Sequence, residues 1–114
     1  MARAETRSAC PTVSLVLGSG GARGLAHIGV INWIDDHDLK IAAISGASMG
    51  ALIGGIYALG KLDEYEHWVR AITTKDILRL LDISFDGNGF FRGEKIIETL
   101  RELIGDDMIE DLPI

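Results

Sequence analysis

"KIAAISGASMGALIGGIYALGK", residues 40–61, decides the fold. Between its two terminal lysines it carries no charge, and it holds five glycines and two serines. Two physical readings compete for it. About twenty apolar residues are enough to cross the hydrocarbon of a bilayer. Gly46, Gly50 and Gly54 also repeat a small residue at every fourth position, as packed membrane helices do. Against a single span, a continuous helix would have to absorb all those glycines and serines, while Ile41-Ala42-Ala43-Ile44 is equally good strand material. The amphipathic segments downstream also need a soluble core to face.

The second reading divides the stretch into a strand from Ile41 to about Ser45, a tight turn, and a helix from Ser48 to Leu59 stopped by Gly60. The turn, Gly46-Ala47-Ser48-Met49-Gly50, is a G-x-S-x-G pattern in the strand-to-helix setting that a nucleophile elbow requires. The spacing has a mechanical cause. A serine lifted off a strand end on a strained turn brings the backbone against neighbouring elements, so the positions two before and two after it must be nearly bare. Ser48 is thus the candidate nucleophile, with its hydroxyl at the start of a helix whose free N–H groups favour negative charge. The helix is apolar all round and needs cover on most sides, which suits a three-layer α/β architecture with a mainly parallel sheet and helices on both faces.

Upstream, "VSLVLGSGG" (13–21) opens as a buried strand of a parallel sheet and runs into a glycine-rich loop. Ala22 to Asp36 follows as a largely buried helix, with Leu25, Ile28, Val30, Trp33 and Ile34 at mixed helical spacing. Parallel strands put both loops on one edge of the sheet. Acyl transfer passes through a tetrahedral oxyanion that needs fixed donors, and the N–H groups of Gly20, Gly21 and Ala22 are candidates because bare backbone permits close approach. Arg23 either holds this loop, adds to its field, or forms an ordinary salt bridge.

Downstream, Asp63 and Glu66 form a capping pair for a helix with Tyr65, Val69 and Ile72 on one face. Thr74 caps a short helix that includes Ile77, Leu78 and Leu81. "DISFDGNGFFRG" (82–93) is turn-rich. "EKIIETLRELIG" (94–105) places Ile96, Ile97, Leu100, Leu103 and Ile104 on one stripe ended by Gly105. Residues 1–12 read as a flexible N-terminal tail. "IEDLPI" at the end reads as a chain cut in mid-fold, so that 13–114 is the N-terminal part of a domain truncated before its remaining strands. Exposed sheet edges, and self-association through them, follow from that reading.

Composition narrows the function classes. Eleven basic against 17 acidic residues, a formal charge of −6, gives no general attraction for nucleic acid. The single Cys10 makes no internal disulfide and marks no zinc site, and residues 1–12 lack the apolar core of a secretory signal. A reducing, cytoplasmic compartment fits. Gly55 to Lys61 reads G-x-x-x-x-G-K, but Leu62 stands where a phosphate loop needs Ser or Thr. In the loop at 18–24, Arg23 occupies the last glycine slot of a dinucleotide fingerprint, and the second strand ends without an acid for a ribose. Trp33 and Trp68 read as packing residues rather than a stacking platform.

The pair "LGSGGARGLAHIGV" and "ISGASMGALIGG" resembles the patatin-like phospholipase family, in particular its bacterial and neuropathy-esterase-like branches, over a stretch from about Val13 to the end. The resemblance implies a serine lipid acyl hydrolase acting on lipid or lysolipid esters through a Ser-Asp dyad without a catalytic histidine, and contact with membrane surfaces as a peripheral protein. Motif against motif, Ser48 is the nucleophile, Gly46, Ala47, Met49 and Gly50 the elbow, and Gly20, Gly21, Ala22 and Arg23 the oxyanion loop. Ser19 departs from the glycine of the fullest motif. The family aspartate lies in a D-G-G or D-G-A motif, and Asp86-Gly87-Asn88-Gly89 is only a near match that reads as a turn. The aspartate is therefore expected outside this chain. His27, His37 and His67 read as a local hydrogen-bonding or packing residue, a solvated turn residue and a surface helix residue. No metal or cofactor is called for, since protein groups suffice to activate a serine and stabilise an oxyanion. The alternative is a catalytically incomplete piece serving as a lipid-binding or assembly module.

Overall fold

The computed structural model describes residues 10–72, 75 and 89–114, and side chains from Ile97 onward in the last of these segments. Residues 40–61 do not form one rod. They form a strand, β2 (Lys40–Gly46), a turn, and a helix, α2 (Met49–Ala58). Among the described residues no helix is long and apolar enough to cross a membrane.

β1 (Thr12–Leu17) and β2 run parallel, with Thr12 opposite Lys40 and Leu17 opposite Gly46, and with an irregularity after Val13 that leaves Ala42 unmatched. Alternation along β1 turns Val13, Leu15 and Leu17 to the core and leaves Thr12, Ser14 and Val16 exposed. Val16 is 79% exposed. β1, read as a buried strand of a parallel sheet, is covered on one face among the described residues, where the packed core lies.

Between the strands, a 3-10 turn (Gly21–Leu25) leads into α1 (Ala26–Asp36). α1 buries Ile28, Ile31 and Ile34. Val30 and Trp33, read from their spacing as part of a largely buried helix, are 50% and 55% exposed. The i, i+3 run of isoleucines wins the core, and Trp33 instead stacks on His37 with ring centroids 3.9 Å apart. α1 ends in a Schellman arrangement: Asp38 sits at φ 55°, and the N–H groups of Leu39 and Asp38 donate to the carbonyls of Ile34 and Asp35.

α2 is the centre of the core. Ile53 and Ile56 are essentially sealed, at 0% and 1% exposure, and Ile31 of α1 is sealed with them. Burying each of these side chains contributes roughly 1.5–3 kcal/mol. The four-residue repeat of small residues that suggested membrane packing serves the sheet instead. A Cβ on Gly54 would lie 2.8 Å from Ile44 Cγ2 of β2, so glycine lets the helix lie close on the strands. Gly60, at φ 71°, ends α2 as expected, with Gly60 N–H donating to Tyr57 O at 2.8 Å and Lys61 N–H to Ile56 O at 3.1 Å.

α3 (Leu62–Ala71) adds Leu62 and Tyr65 to the core, with Trp68 and Val69 packed beside them. The Asp63–Glu66 capping pair is not formed. Lys61 is the N-cap without a side-chain bond, Asp63 lies in the first turn, and Glu66 is drawn away to accept from Asn32 of α1 at 3.0 Å and from Arg70 at 2.7 Å. α4 (Gly89–Ile104) begins five residues before the expected Glu94, taking up part of the stretch read as turns. Leu100, Leu103 and Ile104 pack on the core, whereas Ile97 is 54% exposed and leaves the expected stripe. Gly105, at φ 85°, ends the helix. After a short 3-10 turn (Ile109–Asp111) the chain is extended at Leu112. The remaining readings for Thr74, Ile77, Leu78, Leu81, Asp86 to Asn88 and the side chain of Ile96, and the tail before Cys10, lie outside the described residues.

Candidate active site

Ser48 sits between β2 and α2 at φ 52°, ψ −120°, one of two non-glycine residues with positive φ among the described residues. An L-residue pays for that conformation with about 1–3 kcal/mol of strain, which persists only where the surroundings enforce it. Three contacts enforce it here. The Ala47 N–H donates to Leu17 O at 3.0 Å, which pins the turn to the end of β1. A Cβ on Gly46 would stand 2.6 Å from the Gly50 carbonyl and the Ala51 nitrogen. A Cβ on Gly50 would overlap the carbonyl oxygens of Leu17 and Gly18. Both flanking glycines are therefore required by the crowding anticipated from the five-residue pattern.

Ser48 is exposed, and as N-cap of α2 its side chain makes no capping bond. Its hydroxyl is not spent on the helix end, although its carbonyl accepts from Leu52 N–H at 3.1 Å. Met49 points inward and is buried.

The glycine loop lies alongside. Gly20 and Gly21 hold φ 143° and 54°, conformations closed to most side chains. The Arg23 N–H donates to Gly20 O at 3.1 Å, so Arg23 contributes a closing bond rather than a free amide. Gly21 and Ala22 open the 3-10 turn, and the first N–H groups of such a turn precede any carbonyl within it that could accept them. The Arg23 side chain is exposed and makes no ion pair among the described residues. The salt-bridge reading of Arg23 is thereby not met there. Gly24 is buried against the elbow, since a Cβ there would fall 2.5 Å from Met49 Cγ. That fit between the loop and the elbow is invisible to either motif taken alone.

The three histidines are all tied to backbone. His27 donates from Nε2 to Gly18 O at 2.8 Å, His37 from Nδ1 to Trp33 O at 2.8 Å, and His67 from Nδ1 to Asp63 O at 2.8 Å. Among the described residues no cluster of His, Cys, Asp and Glu could hold a metal ion. A cavity of about 550 Å³ lies at the far end of α2, lined by residues such as Tyr57, Leu59, Gly60, Asp111, Leu112 and Ile114, and so does not contain Ser48. Beside it Tyr57 donates to Asp35 at 2.7 Å; partial burial, then that hydrogen bond and the Asp35 charge, push the Tyr57 hydroxyl from 10.0 up to about 12.

The chain matches the patatin-like phospholipase family over residues 15–114. It is 50% identical over 107 residues to uncharacterized NTE family proteins of Mycobacterium tuberculosis and Mycobacterium bovis, a match covering 94% of this chain and 30% of each relative. It is 36% identical over 106 residues to the neuropathy target esterase sws of Drosophila persimilis, covering 89% of this chain and 7% of that protein. The chain thus spans less than a third of the length of these relatives. No solved structure matches it. With both loops inside one continuous match that runs from the first strand to the last residue, the chain belongs to the patatin-like phospholipase family.

Proposed function

We propose that the full-length protein is a serine hydrolase of lipid or lysolipid esters, with Ser48 as its nucleophile. Ser48 Oγ attacks the ester carbonyl carbon as its proton passes to a base, and the carbonyl oxygen becomes an oxyanion received by the amides of Gly20, Gly21 and Ala22. Collapse of the tetrahedral species expels the alcohol, which takes the proton back from the base. Water then attacks the acyl-serine by the same route in reverse. The base in this scheme is an aspartate supplied by the rest of the protein, as family membership implies. None of the three histidines is given the base role here; each holds a nearby main-chain carbonyl through one ring nitrogen. Contact with a membrane surface would bring the substrate to the exposed serine.

The observation that supports this reading most is the strained, exposed Ser48, whose side chain makes no capping bond and whose elbow is packed against the glycine loop. The test is a fluorophosphonate probe on the full-length protein. Stoichiometric labelling of Ser48, abolished in Ser48→Ala together with lysolipid ester hydrolysis, is the expected result. A well-folded protein that takes up no label would overturn it.

A further inference from the structure

His27 stands in the first turn of α1, and Gly18 is the first residue after β1. The 2.8 Å bond from His27 Nε2 to Gly18 O closes the glycine loop from helix start to strand end. A carbonyl only accepts, so Nε2 carries the proton. The loop inside this ring has little of its own to hold it, because Gly20 and Gly21 have no side chains and occupy backbone regions reached by few other residues. Its amide directions are set by three ties: the Arg23-to-Gly20 bond within the loop, the seat of Gly24 on Met49, and His27. Gly18 O also abuts the elbow, since a Cβ on Gly50 would come within 2.5 Å of it. One carbonyl is thus shared by the histidine clamp and the nucleophile turn.

We propose that His27 is a positioning residue that aims the Gly20–Ala22 amides at the oxyanion formed on the substrate of Ser48, an inference that rests on the reading of Ser48 as nucleophile. The role inferred for His27 is to hold the loop rather than to take the serine proton, since its Nε2 is engaged on Gly18 O and offers no lone pair there.

The test compares His27→Leu, which cannot donate, with His27→Gln, whose side-chain amide can take the place of Nε2–H. Two quantities are read in the full-length protein: the rate of fluorophosphonate labelling at Ser48 and the hydrogen exchange of the Gly20–Ala22 amides. His27→Leu should slow labelling about tenfold and speed exchange by a similar factor, and His27→Gln should restore both to within about threefold. Labelling of His27→Leu at the wild-type rate, or a His27→Gln variant as impaired as His27→Leu, would overturn the proposal. If the wild-type protein takes no label, the nucleophile reading fails by itself. The exchange comparison then decides the clamp, and unchanged exchange in His27→Leu sinks it.

Discussion

No side chain fits between Gly50 and Leu17: a Cβ on the helix residue would overlap the carbonyl oxygen of the strand residue, with Gly18 O crowding it from the next position. This contact carries the end of β1 to the start of α2, and with it the glycine loop to the serine turn. Because the obstruction is backbone on both sides, it cannot be relieved by a rotamer change.

Gly50→Ala should therefore cost about 3 kcal/mol, the upper part of the usual overpacking range. Gly55→Ala, in the same helix but with open space around its Cβ, should instead stabilise by about 0.5–1 kcal/mol. Denaturant midpoints of the two variants, measured side by side, check the opposite signs. Equal shifts would mean that helix propensity rather than the Leu17 contact governs position 50.

Ser48 at φ 52° holds strain that glycine would not. Ser48→Gly should be about 1 kcal/mol more stable than Ser48→Ala, since both remove the hydroxyl and only glycine relieves the backbone. Neither variant should take up a fluorophosphonate. Thermal or chemical unfolding of the pair reads the strain without depending on activity.

The Tyr57 hydroxyl, raised to about 12, gives stability with a defined alkaline limit. Its folded value lies above the ordinary 10.0, so the unfolded state ionises first. Stability linked to this group is complete below about pH 10 and is lost as pH rises through about 12. Burial raises Tyr65 as well, and these are the two tyrosines of the chain. The Tyr57 share of the tyrosinate absorbance should accordingly stay low through pH 10, and Tyr57→Phe should leave only the Tyr65 titration while removing the bond to Asp35 at a cost of about 1 kcal/mol. A tyrosine that titrates at its ordinary value in the folded protein and is lost in Tyr57→Phe would contradict the Tyr57–Asp35 pairing.

Local chemistry made much of this legible from residues alone. Strand, glycine loop, helix, strand, serine turn, helix follows from short-range causes: β-branched runs, glycines where positive φ is needed, and Gly60 and Gly105 as stops. The crowding at Gly46 and Gly50 was inferable because those residues meet atoms only a few positions away or on the adjoining strand end. Cover is a different matter. Nothing in the spacing of Val30, Trp33 and Ile34 says which of them a neighbouring helix will seal, and α2 sealed Ile31 beside Ile28 and Ile34. Glu66 looked like a cap from three residues away, but a partner 34 positions distant, Asn32, competes for it. The seat of Gly24 on Met49 likewise exists only once β1 and β2 lie side by side, and the clamp of His27 on Gly18 only once the glycine loop has turned α1 back to the end of β1. Backbone geometry is imposed by each residue and its immediate neighbours, so it is written along the chain; burial and side-chain partnership are imposed by whatever arrives from elsewhere, so they are settled only when the chain has folded.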